Sequence, residues 1–109
     1  MVVKEILNAA GFIENKTFKE TRFLKAPSET YAVYMVSFAA RGADNANLVK
    51  ENDNTIELYS YAPDPDAELR IENALDERGI EYTKQDRYWM QTEQLFQTIY
   101  EFTDIVKNK

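Results

Sequence analysis

The stretch Thr30-Tyr31-Ala32-Val33-Tyr34-Met35-Val36-Ser37-Phe38-Ala39 is the strongest strand signal in this chain of 109 residues. Apolar side chains occupy both of its alternating sets of positions, whereas a strand with one solvated face alternates apolar with polar residues. We therefore predict a central strand covered on both faces, or a strand with one face in the core and the other in a subunit contact.

Weaker strand patterns lie on both sides of this stretch. Alternating or β-prone residues predict further strands over residues 19–24, 54–62, 80–90 and 95–103. The seven Tyr and six Phe also favour a sheet, because flat rings pack well on a pleated surface. The chain therefore supplies enough strand-forming segments for one sheet.

Two helices are predicted by apolar residues at helical spacing. The first covers residues 2–10 and ends at Gly11, which can adopt a left-handed backbone conformation. The second begins with Asp64 as N-cap and Pro65 in the first helical position, and it ends at Gly79. Helices and strands together predict a single α+β domain, a mostly antiparallel sheet of four to five strands with helices packed on one face.

Residues 40–53 are predicted to form a long loop, and residues 104–109 a flexible C-terminal tail. The loop segment contains Gly42 and several Asp and Asn residues, all of which favour turns. It is longer than the roughly two to five residues of an ordinary hairpin connection, and such loops are either functional or disordered.

The composition argues against catalysis. The chain contains neither His nor Cys, so no histidine can activate a serine and no thiolate can bind a metal. With 13 basic and 19 acidic side chains the net charge is −6, which disfavours nucleic-acid binding. No apolar stretch approaches the roughly 20 residues that span a bilayer. We predict a protein that is not an enzyme, holds no cofactor or metal and binds neither nucleic acid nor membrane.

Two groups of polar residues have both a functional and a structural interpretation. Asp64 and Asp66 could form a metal or acid/base pair, but a helix cap followed by a first-turn charge explains them better. The segment Asp44-Asn45-Ala46-Asn47 resembles a calcium loop only superficially, since it lacks the Gly and the distal Glu of an EF-hand. Neither group is assigned a ligand.

Charge is distributed unevenly along the chain. Residues 1–25 carry five basic and three acidic side chains, and residues 64–78 carry six acidic side chains and two arginines. Two solvated faces are the simpler interpretation. The alternative is a head-to-tail contact between copies, which closes into a ring when the rotation suits. That contact would join two sets of residues, Lys19 and Arg22 on the basic side and Glu68, Glu72 and Asp76 on the acidic side.

The three acidic residues lie off the apolar stripe of the second helix. Their reversal to Lys is therefore expected to weaken assembly and to leave the fold intact.

Six short patterns follow one another along nearly the whole chain: Ile6-Leu7 with Gly11, Tyr31-Ala32-Val33-Tyr34, Asp44-Asn45, Thr55-Ile56-Glu57-Leu58-Tyr59, Gly79-Ile80 and Gln97-Thr98-Ile99-Tyr100-Glu101-Phe102. In this order they resemble the small tail-terminator, or tail-completion, proteins of long-tailed bacteriophages of Gram-positive hosts. The patterns are strand and turn patterns and include no catalytic signature.

The resemblance implies a structural protein that forms a ring, typically a hexamer, caps the finished tail tube and joins it to the head connector. The implied partners are further copies of the chain, the major tail or tube protein and the head–tail connector proteins. The implied location is the bacterial cytoplasm during assembly and then the tail or neck of the virion. The loop at 40–53 becomes the candidate docking element, with contacts expected from Arg41, Asp44, Asn45 and Asn47.

Two other functions stay open. One is a neighbouring neck role, as an adaptor or stopper in the head–tail connector. The other is a small non-viral domain that binds a peptide or another ligand through Tyr82, Tyr88 and Trp89. Such aromatic residues more commonly belong to a core or an interface.

Overall fold

The computed structural model describes residues 1–41 and 49–107. These residues form two helices and six strands, which follow each other as α1 (Val2–Ala9), β1 (Phe18–Glu20), β2 (Tyr31–Arg41), β3 (Val49–Ser60), α2 (Pro65–Glu77), β4 (Thr83–Lys84), β5 (Tyr88–Met90) and β6 (Leu95–Lys107).

One sheet contains all six strands. Its order is β1-β2-β3-β6-β4, and β5 pairs with β6 further along the same edge. Only β1 and β2 pair in parallel, so the prediction of a mostly antiparallel sheet is confirmed. The predicted number of four to five strands was wrong, because the segment 80–90 forms two short strands where one was expected.

The ends of both helices follow from local sequence. Gly11 has a φ of 92°, the left-handed backbone expected after α1. A side chain at Gly11 would also lie 2.8 Å from Nη1 of Arg70, the atom that donates a hydrogen bond of 2.6 Å to the Ala10 carbonyl. Asp64 caps α2 as predicted, because its carboxylate accepts a hydrogen bond of 3.0 Å from the Ala67 amide.

The main core lies between the helices and one face of the sheet. Its buried members include residues of both helices and alternate residues of the three long strands: Val3, Ile6, Leu7, Ala67, Ile71, Ala74, Leu75, Ala32, Tyr34, Ile56, Leu58, Tyr100 and Phe102. The opposite face carries a smaller cluster, in which Phe23 and Tyr59 pack against Tyr31, Val33 and Leu95. Strand β2 is therefore apolar on both faces, because each face packs in a different cluster.

The predicted loop at 40–53 was wrong in its extent. Strand β2 continues to Arg41 and β3 begins at Val49, so the predicted loop residues at positions 49–53 are paired in the sheet. The predicted tail also differs, since β6 continues to Lys107 and pairs with β3 along that length. The predicted contact residues Asp44, Asn45 and Asn47 lie outside the described residues.

The long strands extend past the core as a three-stranded arm. The last layer of the core consists of Val36, Asn54 and Phe102, which lie side by side on β2, β3 and β6. Beyond this layer each strand continues for five more residues, and we call these segments the arm: Ser37–Arg41, Val49–Asp53 and Thr103–Lys107. At about 3.3 Å per residue the arm is roughly 16 Å long.

Candidate functional site

The acidic face of α2 is engaged within the molecule. The Glu68 carboxylate accepts hydrogen bonds from Arg87 Nε at 2.7 Å, Lys84 Nζ at 3.1 Å and Thr98 Oγ1 at 3.2 Å. The neighbouring Glu72 carboxylate lies 2.8 Å from Lys84 Nζ and accepts a hydrogen bond of 2.7 Å from the Tyr100 hydroxyl. These contacts attach the segment after α2 to the helix and to β6.

The charged state of Glu68 depends on these partners. Burial of its side chain, which is 8% exposed, would raise the pKa of the carboxyl group. Hydrogen bonds from Arg87 and Lys84 outweigh burial and hold the pKa of Glu68 below its ordinary value. The hydrogen bond that Lys84 donates to Glu72 raises the pKa of Lys84 in turn. Two carboxylates and two cations therefore neutralise one another within the chain. They do not form an unpaired acidic surface for a second copy.

This network changes the prediction made for the acidic side of the charge contact. Glu68 is buried, and reversal of its charge would place a third cation beside Lys84 and Arg87, so the fold would not be left intact. Asp76 does lie on the exposed part of the helix, as expected. Of the three acidic residues, Asp76 alone has the surface position that the prediction assumed.

The basic side of the predicted contact lies at the other end of the strand order. Lys19 belongs to β1, the outermost strand on one side, and Arg22 is exposed just after it. Glu68 and Glu72 bind Lys84 of β4, the outermost strand on the opposite side. The structure therefore does not bring the basic and acidic sets together within one copy.

The three aromatic residues proposed as a ligand platform separate into two environments. Tyr82 packs against Tyr100 with ring centroids 6.0 Å apart, and Trp89 packs against Phe96 at 4.8 Å. Tyr100 and Phe96 are four residues apart on β6, a separation of about 13 Å. Tyr88 is 64% exposed on β5. These residues do not form one continuous platform.

A small aromatic groove lies on the sheet face opposite the helices. Its volume is about 220 Å³. Tyr31 and Tyr59 stack at 5.3 Å, and Phe23 meets Tyr31 edge-on at 5.5 Å. Burial and a hydrogen bond to Glu57 raise the pKa of Tyr59 to about 12, so its hydroxyl stays neutral and accepts a hydrogen bond of 3.0 Å from Gln97. The sequence did not reveal this groove, because its residues come from distant segments.

The arm carries two large apolar side chains that have little internal cover. Phe38 is 60% exposed and Ile105 is 59% exposed, although both lie within regular strands. Arg41, predicted as a contact residue, is the last residue of β2 and so belongs to the arm. The strands β2 and β6 form its two outer sides, since β3 lies between them. The arm is therefore the candidate interaction surface.

Two kinds of site receive no support from the described residues. Within residues 1–41 and 49–107, no group of three or more His, Cys, Asp or Glu side chains is arranged to hold a metal ion. The carboxylates of Asp64 and Asp66 have structural partners, since Asp64 caps α2 and Asp66 forms an ion pair of 3.1 Å with Arg70.

Neither of the two described helices has the length and apolar composition needed to cross a membrane.

The fold is similar to that of a protein chain in a solved virion structure. The match is to a chain in the structure described as the virion of the native gene transfer agent (GTA) particle, with a TM-score of 0.63 and 12% sequence identity. It covers 98% of this chain and 92% of the other. No protein-family model and no curated protein matches the sequence. At this identity the likeness shows a shared fold.

Proposed function

We propose that this protein is a structural component of a phage-like virion, and that it acts by assembling with copies of itself and with neighbouring particle proteins. The observation that carries the proposal is the shared fold with a chain of a gene transfer agent virion, which extends over nearly the full length of both chains. The exposed arm supports it as well, because apolar residues on regular strands are typical of surfaces that become covered in an assembly.

Within such a particle we propose the role of tail terminator, a ring that caps the tail tube and joins it to the head connector. This role rests on the resemblance of the sequence patterns to tail-completion proteins. A neck adaptor or stopper is the second candidate, and it has the same need for self-association. An enzyme is not proposed, because the chain has no histidine or cysteine and Glu68 is occupied by structural partners.

Sedimentation and negative-stain imaging of the pure protein test self-association. We expect closed rings whose population rises with protein concentration, alone or with the tail-tube protein added. A protein that stays monomeric at high concentration, and also with the tail-tube protein present, would contradict the proposal.

Inactivation of the gene in the particle-producing host separates the two roles. Loss of a terminator should give overlong tails, because nothing stops the growth of the tube. Loss of a joining protein should give tails of normal length lying beside filled heads. Normal particles in the absence of the protein would argue against both roles.

A further inference from the structure

In the part of the chain that the structure describes, both outer strands of the arm have an edge without a partner strand. Among the described residues, β1 pairs with β2 only as far as Tyr34, and β4 pairs with β6 only as far as Glu101. The free edge of β2 is unusually open, since Val36-Ser37-Phe38-Ala39-Ala40 contains no charge, no Pro and no Gly, whereas the free edge of β6 carries Asp104 and Lys107. Natural proteins usually protect a free edge with Lys, Pro or a bulge, so an edge without these devices is a pairing site.

The outward backbone groups of each edge follow from the existing hydrogen bonds. On β2, the Ala32 amide donates to the Thr17 carbonyl at 2.9 Å and the Tyr34 carbonyl accepts from the Thr21 amide at 2.8 Å. Successive residues of a strand turn their backbone groups to opposite sides. Even-numbered residues of β2 therefore present their amide and carbonyl groups outward, and in the free part these residues are Val36, Phe38 and Ala40.

The same reasoning applies to the other outer strand. On β6, the Ile99 carbonyl accepts a hydrogen bond of 2.9 Å from the Gln85 amide, on the side away from β3. Odd-numbered residues of β6 therefore face outward, and beyond Glu101 these are Thr103, Ile105 and Lys107. Each free edge thus offers three residues with outward backbone groups.

The two free edges run in the same direction and cover the same range of register along the sheet. Strands β2 and β6 both run antiparallel to β3, so they run parallel to each other. Phe38 lies opposite Asn52, which lies opposite Asp104, and this register puts Phe38 level with Asp104. In a parallel pair, a residue level with position j bonds to positions j−1 and j+1 of its neighbour.

We propose that the free edge of β2 in one copy pairs in parallel with the free edge of β6 in a second copy, so that the sheet continues from subunit to subunit. The Phe38 amide would donate to the Thr103 carbonyl of the second copy, and the Phe38 carbonyl would accept from its Ile105 amide. This inference rests on the proposed self-association and names the surfaces that carry it.

The existing contact between β1 and β2 supports this pairing. It uses the same outer edge of β2 and the same parallel hydrogen-bond pattern, with Ala32 bonded to Thr17 although its level partner is Phe18. Residues Thr103–Lys107 of a second copy's β6 would continue along that edge beyond the end of β1. The outer edge of β2 is therefore already shaped to accept a parallel strand. The earlier part of the second copy's β6 would diverge from β2, because β1 and β4 occupy the two edges at the level of Tyr34 and Tyr100.

Side chains and charges of the arm fit the same contact. Phe38 and Ile105 point to opposite faces of the sheet, so an added strand would cover part of each. The uncharged segment Val36–Ala40 sets no like charge against Asp104. The contact joins two different surfaces of the chain, so it is head-to-tail and can close into a ring.

Cysteine cross-linking tests the inference directly, because the chain has no cysteine of its own. Ser37 and Thr103 are both exposed and level with each other, with Asp53 of β3 between them. Within one copy they are two strand spacings apart, about 9.6 Å, which is beyond the roughly 7 Å limit of a disulfide. Between copies in the proposed pairing they would be neighbours.

We expect the double variant S37C/T103C to give a ladder of covalent oligomers on oxidation, ending at the size of the ring. Each single variant should stay monomeric on a non-reducing gel. Dimers formed by S37C or T103C alone would indicate a two-fold contact and overturn the inference. Failure of the double variant to cross-link while the unaltered protein still forms rings would overturn it and leave the proposed function standing.

A proline substitution provides a second test with a matched control. F38P removes an outward amide that no described residue uses within the copy, so the fold should tolerate it at a strand edge. F38A keeps this amide and removes only the ring. We expect F38P to weaken association at least tenfold more than F38A, with similar circular dichroism and melting temperature.

Equal association of F38P and F38A would overturn the pairing of edges. Absence of self-association in the unaltered protein at every concentration would remove the proposed function and this inference together.

Discussion

The body and the arm of this molecule differ in how far their apolar side chains and strand edges are covered. In the body, Ile56 is fully buried and even a charged residue, Glu68, has three partners from within the chain. In the arm, Phe38 and Ile105 are exposed on regular strands, and two strand edges continue without a partner strand among the described residues. The same three strands build both regions.

This difference indicates that the body provides the packed core of the fold and that the arm provides surface for an assembly. Helices α1 and α2 pack on the part of the sheet up to Val36, Asn54 and Phe102. The arm gains its regular strands from pairing in the sheet, and neither described helix packs on it. Ordering these strands costs conformational entropy, and they bury little apolar surface within the chain. Such an element is expected where another molecule covers the remaining apolar surface.

The largest expected effect comes from one substitution made in both regions. Ile56→Ala removes a fully buried side chain of the body and should lower the free energy of unfolding by about 2–5 kcal/mol. Ile105→Ala makes the same change in the arm and should alter the stability of the monomer by less than about 0.5 kcal/mol. Urea unfolding at a concentration below the onset of assembly measures both. Similar losses would show that the arm is as well packed as the body.

The sequence predicted the body much better than the arm. Apolar periodicity located α1, α2 and the strand from Tyr31, because those residues bury one face or two. The segment Lys50-Glu51-Asn52-Asp53 was predicted as a loop, since Asn and Asp are poor strand formers. It forms the central strand of the arm because it is paired on both sides.

Tertiary hydrogen bonds explain why these polar residues are tolerated in a central strand. The Asp104 carboxylate accepts hydrogen bonds from Asn54 Nδ2 at 2.6 Å and Asn52 Nδ2 at 3.1 Å, and Thr103 Oγ1 donates to Asp53 at 2.9 Å. The partners are about 50 residues apart in sequence, so no local pattern could have indicated them. The side-chain amide nitrogens of Asn52 and Asn54 thus have partners across β3 and β6, whereas Asn54 Oδ1 is buried without a hydrogen-bond partner among the described residues.

The charged candidate residues show the same limit of sequence reasoning. Glu68 and Glu72 were expected to lie off the apolar stripe of α2, but Glu68 is buried. Their partners Lys84 and Arg87 come from a segment that was expected to be one continuous strand. The path of that segment back to α2 depends on tertiary structure. The sequence alone therefore could not distinguish ion pairs within the chain from an acidic surface patch.

A smaller effect is expected from pH, and two carboxylates of the body contribute to it. The pKa of Glu68 is held below its ordinary value by Arg87 and Lys84 against the effect of burial, and that of Asp64 is lowered mainly by a hydrogen bond from Thr30. At acidic pH the unfolded chain therefore binds protons that the folded chain does not. The resulting stability is present above the unfolded pKa values of about 4 and is lost as the pH falls through the lower folded values.

Melting temperatures measured from neutral pH down to about pH 3 test this expectation. Glu68→Gln should melt lower at neutral pH and lose less of its melting temperature on acidification than the unaltered protein. Asp76→Asn is the control, because Asp76 is exposed, and its profile should follow that of the unaltered protein. Parallel profiles for the Glu68→Gln variant and the unaltered protein would exclude Glu68 as a source of the acid sensitivity.

The smallest expected effect is that of salt on assembly, and it distinguishes the two regions as sources of the contact between copies. A contact made by body charges, such as Lys19 or Arg22 against Asp76, would weaken steeply as the Debye length shrinks from about 10 Å at 0.1 M salt to about 3 Å at 1 M. A contact made by backbone pairing of the arm involves neutral groups, and we expect its dissociation constant to change less than about threefold over that range. Sedimentation equilibrium measures the constant, with Asp76→Asn as the control that should behave like the unaltered chain. If association weakens tenfold at high salt, and by less in the Asp76→Asn variant, the contact between copies is made by the charged faces of the body and not by the arm.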